Sequence, residues 1–322
     1  MMKKSAIAAL AVAAAFGFTT SASAQDCVIG VSMKTLDAPY FAAQDVAARA
    51  HGEEIGCRMI SADAGNDLNK QIADVEDMVA QGIQALIINV RDSQGLVPVV
   101  NAAAAAGVTV IAMDSTIDPS ADILTLVQSS NTQNGMLVGR WLADQTNGQD
   151  LKIALLSGDQ GNEVGMERRL GVIAGLAEGQ LENSGTVSIN IVAQGWGLWG
   201  NEGGLNAMED ILTAHPDVNV VLGENDSMLL GARNALLAAG LADQVMLVAA
   251  ADGQKEALEL IKTGEYAATG LNNPALVAAT AVDIAKQAID GTLGDIGRVT
   301  YTEPAVITQE NVDEFYNPDA VF

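Results

Sequence analysis

Residues 85–114 read ALIINVRDSQGLVPVVNAAAAAGVTVIAMD. An apolar run from Ala85 to Ile88 and a second from Val108 to Met113, broken only by Thr109, flank an alanine-rich stretch. Short apolar runs on either side of a helical segment mark a βαβ unit whose parallel strands are covered on both faces. The reading gives a strand ending at Asn89, a helix from about Ser93 to Ala106, and a strand ending at Asp114. Open parallel sheets collect ligands at the carboxyl ends of their strands. Asn89 and Asp114 are therefore expected side by side at the rim of a crevice.

The same alternation extends in both directions. Upstream lie the strand CVIGVSM, a helix from Pro39 to Ile55 with Asp37 as its cap, the strand RMISA, and a helix from Asp67 to Gln81. Downstream, ILTLV ends near Ser129 and Ser130, and a second copy of the arrangement begins at KIALLS. It continues through a helix at 163–179, VSINIVAQ, a helix at 202–214, VNVVLGEND, a helix at 227–239, VMLVAAAD, a helix at 254–263, AATGLNN, a helix at 274–290 and a short strand at 305–308. This order predicts two three-layer αβα lobes with parallel sheets. No low-complexity linker separates them, so several strand crossings are expected to join them.

The first 24 residues read as an export leader: Lys3 and Lys4, an apolar stretch from Ala6 to Phe18, and Ala22-Ser23-Ala24 as a cleavage site. The remaining 298 residues (322 − 24) exceed one usual core, in keeping with two domains. Losing two lysines takes the formal charge from −24 to −26. Such a surface repels phosphate backbones and anionic lipid, which argues against nucleic acid or membrane as partner. The two cysteines, Cys27 and Cys57, start the first two strands; export permits a disulfide between them.

Just past the strands stand Lys34, Asp37, Asn89, Asp114, Ser157, Asp159, Asn225, Asp226, Asp252, Asn272 and Asn273. Carboxylates and carboxamides present paired acceptors and donors that match vicinal hydroxyls, and aromatic rings cover the apolar faces of a sugar. Tyr40 and Phe41 lie in the first turn of the first helix, and Trp196 and Trp199 in a loop at the same edge. Arg168 and Arg169 follow in the second half, with one expected in the crevice and the other solvated. Any single Asp or Asn at a strand end also reads as a cap for the next helix.

Other chemistries find little support. Gly195-Trp196-Gly197-Leu198-Trp199-Gly200 matches G-x-G-x-x-G formally, but two indoles crowd a turn that would have to approach a pyrophosphate. His51 and His215 have no acidic cluster near them in sequence, so neither a metal nor histidine catalysis is expected. No cofactor is expected either.

With these residues in place, the chain resembles the ribose-binding type of periplasmic sugar-binding protein, the solute receptors of ABC transporters. The resemblance is carried by DAPYF at 37–41, ALIINVRDS at 85–93, VTVIAMD at 108–114, AMEDILTAHPDVNVVLGEND at 207–226 and VAAADG at 248–253. It implies two lobes joined by three hinge crossings, near Ser129/Ser130, Asn272/Asn273 and Thr302/Glu303. The first lobe would hold 25–129 plus 273–302, and the second 130–272 plus 303–322. It also implies that Tyr40, Phe41 and Trp199 sandwich a sugar ring while Asn89, Asp114, Arg168, Asn225, Asp252 and Asn272 take its hydroxyls. Arg168, rather than Arg169, fits the family's spacing to Gly171.

The sequence departs from the ribose pattern at Ala38, Ser115 and Asn272, where that family has Asn, Arg and Gln. Losing a donor beside Asp114 should cost a ribose ring about 1–3 kcal/mol, so another pentose, a hexose or a sugar alcohol fits as well. The function expected is capture of a sugar or polyol and delivery to a membrane permease by a soluble, periplasmic monomer. Two alternatives remain: a sensor feeding a chemoreceptor or quorum pathway, and a hydrolase using Asp114 and Asp252 as an acid/base pair.

Overall fold

The structure is a computed structural model that describes Cys27 to Phe322. The leader inferred for residues 1–24 lies outside the described residues. Beginning from Cys27, the chain forms β1 (Val28–Met33), α1 (Pro39–Glu54), β2 (Arg58–Asp63), α2 (Leu68–Ala80), β3 (Ala85–Ile88), α3 (Val97–Ala105), β4 (Thr109–Met113) and β5 (Thr125–Gln128). It continues through α4 (Asn131–Gln145), β6 (Ile153–Ser157), α5 (Glu163–Ser184), β7 (Ile191–Trp196), α6 (Asn201–Ala214), β8 (Val220–Gly223), α7 (Asp226–Ala239), β9 (Met246–Asp252), α8 (Lys255–Thr263) and β10 (Ala268–Leu271). It ends with α9 (Pro274–Ile289), β11 (Val299–Tyr301), β12 (Val306–Thr308) and a 3-10 turn at Val312–Glu314.

Two sheets result, ordered β11-β5-β4-β3-β1-β2 and β12-β10-β9-β8-β6-β7. Neighbours pair in parallel except β12, which runs antiparallel to β10. The central strands are buried throughout, as continuous apolar runs require when helices cover both faces. Cys27 and Cys57, brought together by the β1–β2 pairing, form a disulfide.

The chain passes between the sheets three times: after β5, after β10, where α9 packs against the first sheet, and between β11 and β12. These passages meet at one hydroxyl. Ser129 Oγ donates to the Leu271 carbonyl at 2.9 Å and lies 3.2 Å from Thr302 Oγ1. Asn134 Nδ2 donates to the same carbonyl, at 2.5 Å.

Local chemistry moved several element ends from where the sequence put them. Ala38, not Asp37, is the N-cap of α1, without a side-chain cap; Pro39 starts the helix, and the Asp37 N–H turns back to Thr35 Oγ1. Helix α3 starts at Val97 rather than Ser93, because Asp92 Oδ1 accepts the N–H groups of Gln94 and Gly95 and holds that segment as a turn. Strand β7 begins at Ile191 rather than Val187 and lies at a sheet edge with half-exposed residues. Helix α4 and strand β11 have no counterpart in the sequence pattern. The first carries a polar, glycine-interrupted pattern behind its Ser130 cap, and the second is an exposed three-residue edge. The fold also gives His51 an acidic neighbour distant in sequence, Asp283 of α9 at 2.8 Å, besides Glu54 one turn along its own helix at 3.8 Å.

Candidate functional site

The carboxyl ends of the two sheets face each other, and Tyr40 stands between them. Its hydroxyl lies 3.1 Å from Asp114 Oδ1 and 2.9 Å from Asn272 Oδ1, at the ends of β4 and β10 respectively. Asp114 leaves its strand with φ +65°, a left-handed turn that aspartate tolerates better than most residues and that ends the strand. Asn272 Nδ2 donates to Asp252 Oδ1 at 3.0 Å, which extends the chain of contacts into the second sheet.

Asp252 is held from two sides. Its Oδ1 pairs with Arg168 at 2.9 Å, and both side chains are almost wholly buried. Asp226 Oδ2 accepts the backbone N–H groups of Asp252, Gly253 and Gln254, and Tyr266 donates to Asp226 Oδ1 at 2.7 Å. The loop that carries Asp252 is thus fixed by a buried carboxylate that does not itself join the contacts around Tyr40. Arg168 is fixed as firmly: Nε donates to Asn131 Oδ1 at 3.0 Å, and a terminal nitrogen to the Glu224 carbonyl at 2.9 Å. Asn131 is the first residue of α4, just past Ser129, so the arginine is positioned from the first passage between the sheets.

Rings line the same space. Phe41 meets Tyr40 edge-on at 5.5 Å, and the Lys34 ammonium lies 4.1 Å from the Phe41 centroid. Trp199 lies 5.8 Å from the Arg168 guanidinium and donates through Nε1 to Asp159 at 3.1 Å. Trp199 and Leu198 both have positive φ, +63° and +50°. A left-handed tryptophan is strained and persists only where packing holds it. Gly158 provides that packing: a Cβ there would fall 2.0 Å from the indole.

The other candidates divide. Asn225 caps α7 through the Met228 N–H and donates to the Trp199 carbonyl at 3.1 Å. Asn89 is fully buried, with Nδ2 donating to the Met113 carbonyl at 3.1 Å and to Gln44 Oε1 at 3.5 Å, while Oδ1 has no partner. It braces β3 against β4 beneath the Tyr40 contacts. Arg169 is not solvated as expected. It pairs with the buried carboxylate of Glu224 and donates to Ser157 Oγ at 3.2 Å, beneath Trp196. Trp196 itself is 38% exposed.

Lys34, which the sequence already places just past the first strand, finds its partners at the end of β4. It donates to Ser115 Oγ at 2.9 Å and puts a cation beside Asp114. Burial pulls the Lys34 ammonium below its ordinary pKa, with Asp114 opposing. Burial pushes the Asp114 carboxyl above the usual carboxylate range, against the Lys34 charge and the Tyr40 hydrogen bond. Burial also drives the Tyr40 phenol well above its ordinary value, with Asp114 adding to the effect, so it stays a neutral donor.

A family model described as a periplasmic binding protein domain matches residues 29–293. The chain belongs to the periplasmic binding protein family. This periplasmic binding protein is 33% identical over 276 residues to the ribose import binding protein of Bacillus subtilis (strain 168), over 85% of each chain. It matches the crystal structure of an ABC transporter solute-binding protein from Actinobacillus succinogenes 130z with bound D-allose. That match has a TM-score of 0.77 and 28% identity, and spans 90% of this chain and 100% of that one. A solute-binding protein from Bacillus halodurans C-125 with bound myo-inositol matches at TM-score 0.73 and 30% identity, over 90% and 97%. Two αβα lobes meeting at their strand ends are thus what this periplasmic binding protein shares with its relatives.

Proposed function

We propose that this protein captures a neutral monosaccharide or cyclic polyol between two closing lobes and delivers it to an ABC-type membrane permease. The lobes are residues 25–129 with 273–302, and 130–272 with 303–322, turning about Ser129, Asn272 and Thr302. The observation that carries the reading is the placement of the Tyr40 hydroxyl. A carboxylate from one sheet and a carboxamide from the other already converge on a single OH group. A sugar offers several such hydroxyls on a ring, and Tyr40, Phe41 and Trp199 provide the walls. Asp114, Arg168, Asn225, Asp252 and Asn272 take the hydroxyls, with Asn89 bracing the floor and Lys34 as a further donor.

Charge decides for a neutral ligand. Lys34 and Arg168 balance Asp114 and Asp252, so an ionised ligand would leave one charge unpaired in a buried site. Binding is favoured over hydrolysis because Asp252 is committed to Arg168 and Asn272, which keeps it from acting as a free acid or base. Ligand contact with both lobes favours the closed form over the open one. Export to the periplasm is part of the same reading, supported by the names of its relatives and by the leader pattern.

The test is a thermal-shift and small-angle scattering screen with D-ribose, D-allose, myo-inositol and the common alditols. Stabilisation together with compaction is expected for at least one of them. No shift and no compaction with any of them overturns the reading.

A further inference from the structure

Tyr40 has a second aromatic neighbour that comes from the far end of the chain. The Phe322 ring meets it edge-on at 5.4 Å, with the planes at 90°, as Phe41 does at 5.5 Å. The tail that carries Phe322 is fastened to the second lobe. Val312 is buried in that lobe's core, and Phe315 and Tyr316 pack against it. Tyr316 donates to Glu259 of α8 at 3.0 Å, and Lys262 pairs with Asp313 at 2.7 Å. Lys255 donates to the carbonyls of Pro318 at 3.0 Å and Ala320 at 3.2 Å. From these anchors the tail runs along a groove of about 220 Å³, whose opposite wall is Ala43, Val46 and Ala47 of α1. It reaches the first lobe beside Tyr40.

We propose that Phe322 is a positioning residue for the sugar site, holding the Tyr40 ring from across the lobes in the orientation in which it covers a bound sugar. The hydroxyl contacts with Asp114 and Asn272 fix one end of the Tyr40 side chain, but a ring pivots about such an end. Two perpendicular ring neighbours oppose that pivot, and perpendicular contact is a favoured aromatic geometry. The part played by a sugar rests on the reading above; the clamp on Tyr40 does not.

Two measurements test it. The chain has four tyrosines, Tyr40, Tyr266, Tyr301 and Tyr316, so 3-fluorotyrosine labelling gives four fluorine resonances, with Tyr40 assigned through Tyr40→Phe. In unliganded protein, Phe322→Ala should shift and broaden the Tyr40 resonance, leave those of Tyr266 and Tyr301 in place, and be reversed by Phe322→Trp. With whichever of D-ribose, D-allose and myo-inositol binds wild type most tightly, Phe322→Ala should weaken affinity about fivefold. Phe322→Trp should restore it, and the sugar-free unfolding midpoint should not move. An unmoved Tyr40 resonance, or unchanged affinity in a wild type that binds, overturns the proposal. If neither these three nor the common alditols bind wild type, the sugar reading fails while the resonance still decides the clamp.

Discussion

Tyr40 and Asn272, 232 residues apart, meet at 2.9 Å, and the phenol that links them also touches Asp114. The phenol, with one proton to donate, thereby ties the two sheets together in the absence of sugar. Tyr40→Phe keeps the ring and removes the link. Each such hydrogen bond contributes about 0.5–1.5 kcal/mol, so the unliganded variant should open, with a larger radius of gyration by scattering. The sugar-bound form should remain as compact as wild type.

The adjacent arginines should separate cleanly. Arg168→Met leaves Asp252 buried without its partner, which costs on the order of 3–5 kcal/mol, and it should abolish sugar binding in calorimetric titration. Arg169→Met strips the partner from Glu224 and should lower stability. The surviving folded protein should still bind sugar within a few-fold of wild type.

Gly158→Ala puts a methyl into the Trp199 indole. Overpacking of this kind costs about 1–3 kcal/mol, and the ring has no alternative but to leave its wall position. Tryptophan fluorescence should change in the unliganded protein, and affinity should fall about tenfold or more.

Acid should weaken binding earlier than an ordinary carboxylate would predict. Because burial raises the Asp114 carboxyl, the fold holds its proton more tightly than the unfolded chain does. The stability gained from that proton is complete below the ordinary carboxylate value of about 4 and is lost as pH rises through the raised value. Sugar hydroxyls need the charged form as acceptor, so affinity should already decline at pH values above about 4 as the solution is acidified. Titrations between about pH 4 and pH 7 should show the decline in wild type and a flatter profile in Asp114→Asn.

Reduction of the disulfide should act on the first lobe. Cys27 and Cys57 are 30 residues apart, and releasing a loop of that size removes about 3–4 kcal/mol. Denaturant unfolding of Cys57→Ser should show this loss, with sugar affinity unchanged in the folded protein.

Much of this architecture was legible because strong local signals coincide with it. Wholly apolar strands such as Ala85–Ile88, and the acidic or amide residue that follows several of them, located the sheets and the edge at which they meet. What stayed hidden depends on partners distant in sequence or on weak patterns. Lys34 is legible as a residue just past a strand, but not as the partner of Ser115 and Asp114, which only the fold brings beside it. Arg169 looks like a surface residue until Glu224 is brought beneath it. Helix α4 shows only a thin apolar stripe, because Asn134, Gly135 and Gly139 interrupt the buried face that Val138, Leu142 and Ala143 carry. Asn89 was legible as a rim residue, but not as the strut its contacts with Met113 and Gln44 make it.

Those glycines carry a mechanical consequence. Gly135 and Gly139 of α4 abut Gly171 and Gly175 of α5 so closely that a Cβ at Gly175 would stand 2.1 Å from the Met136 carbonyl oxygen. Two rods touching backbone to backbone have no soft side chains between them to yield. Arg168, mounted on one rod, and Asn131, at the root of the other, are therefore set against each other without slack, next to the place at Ser129 where the chain leaves the first sheet.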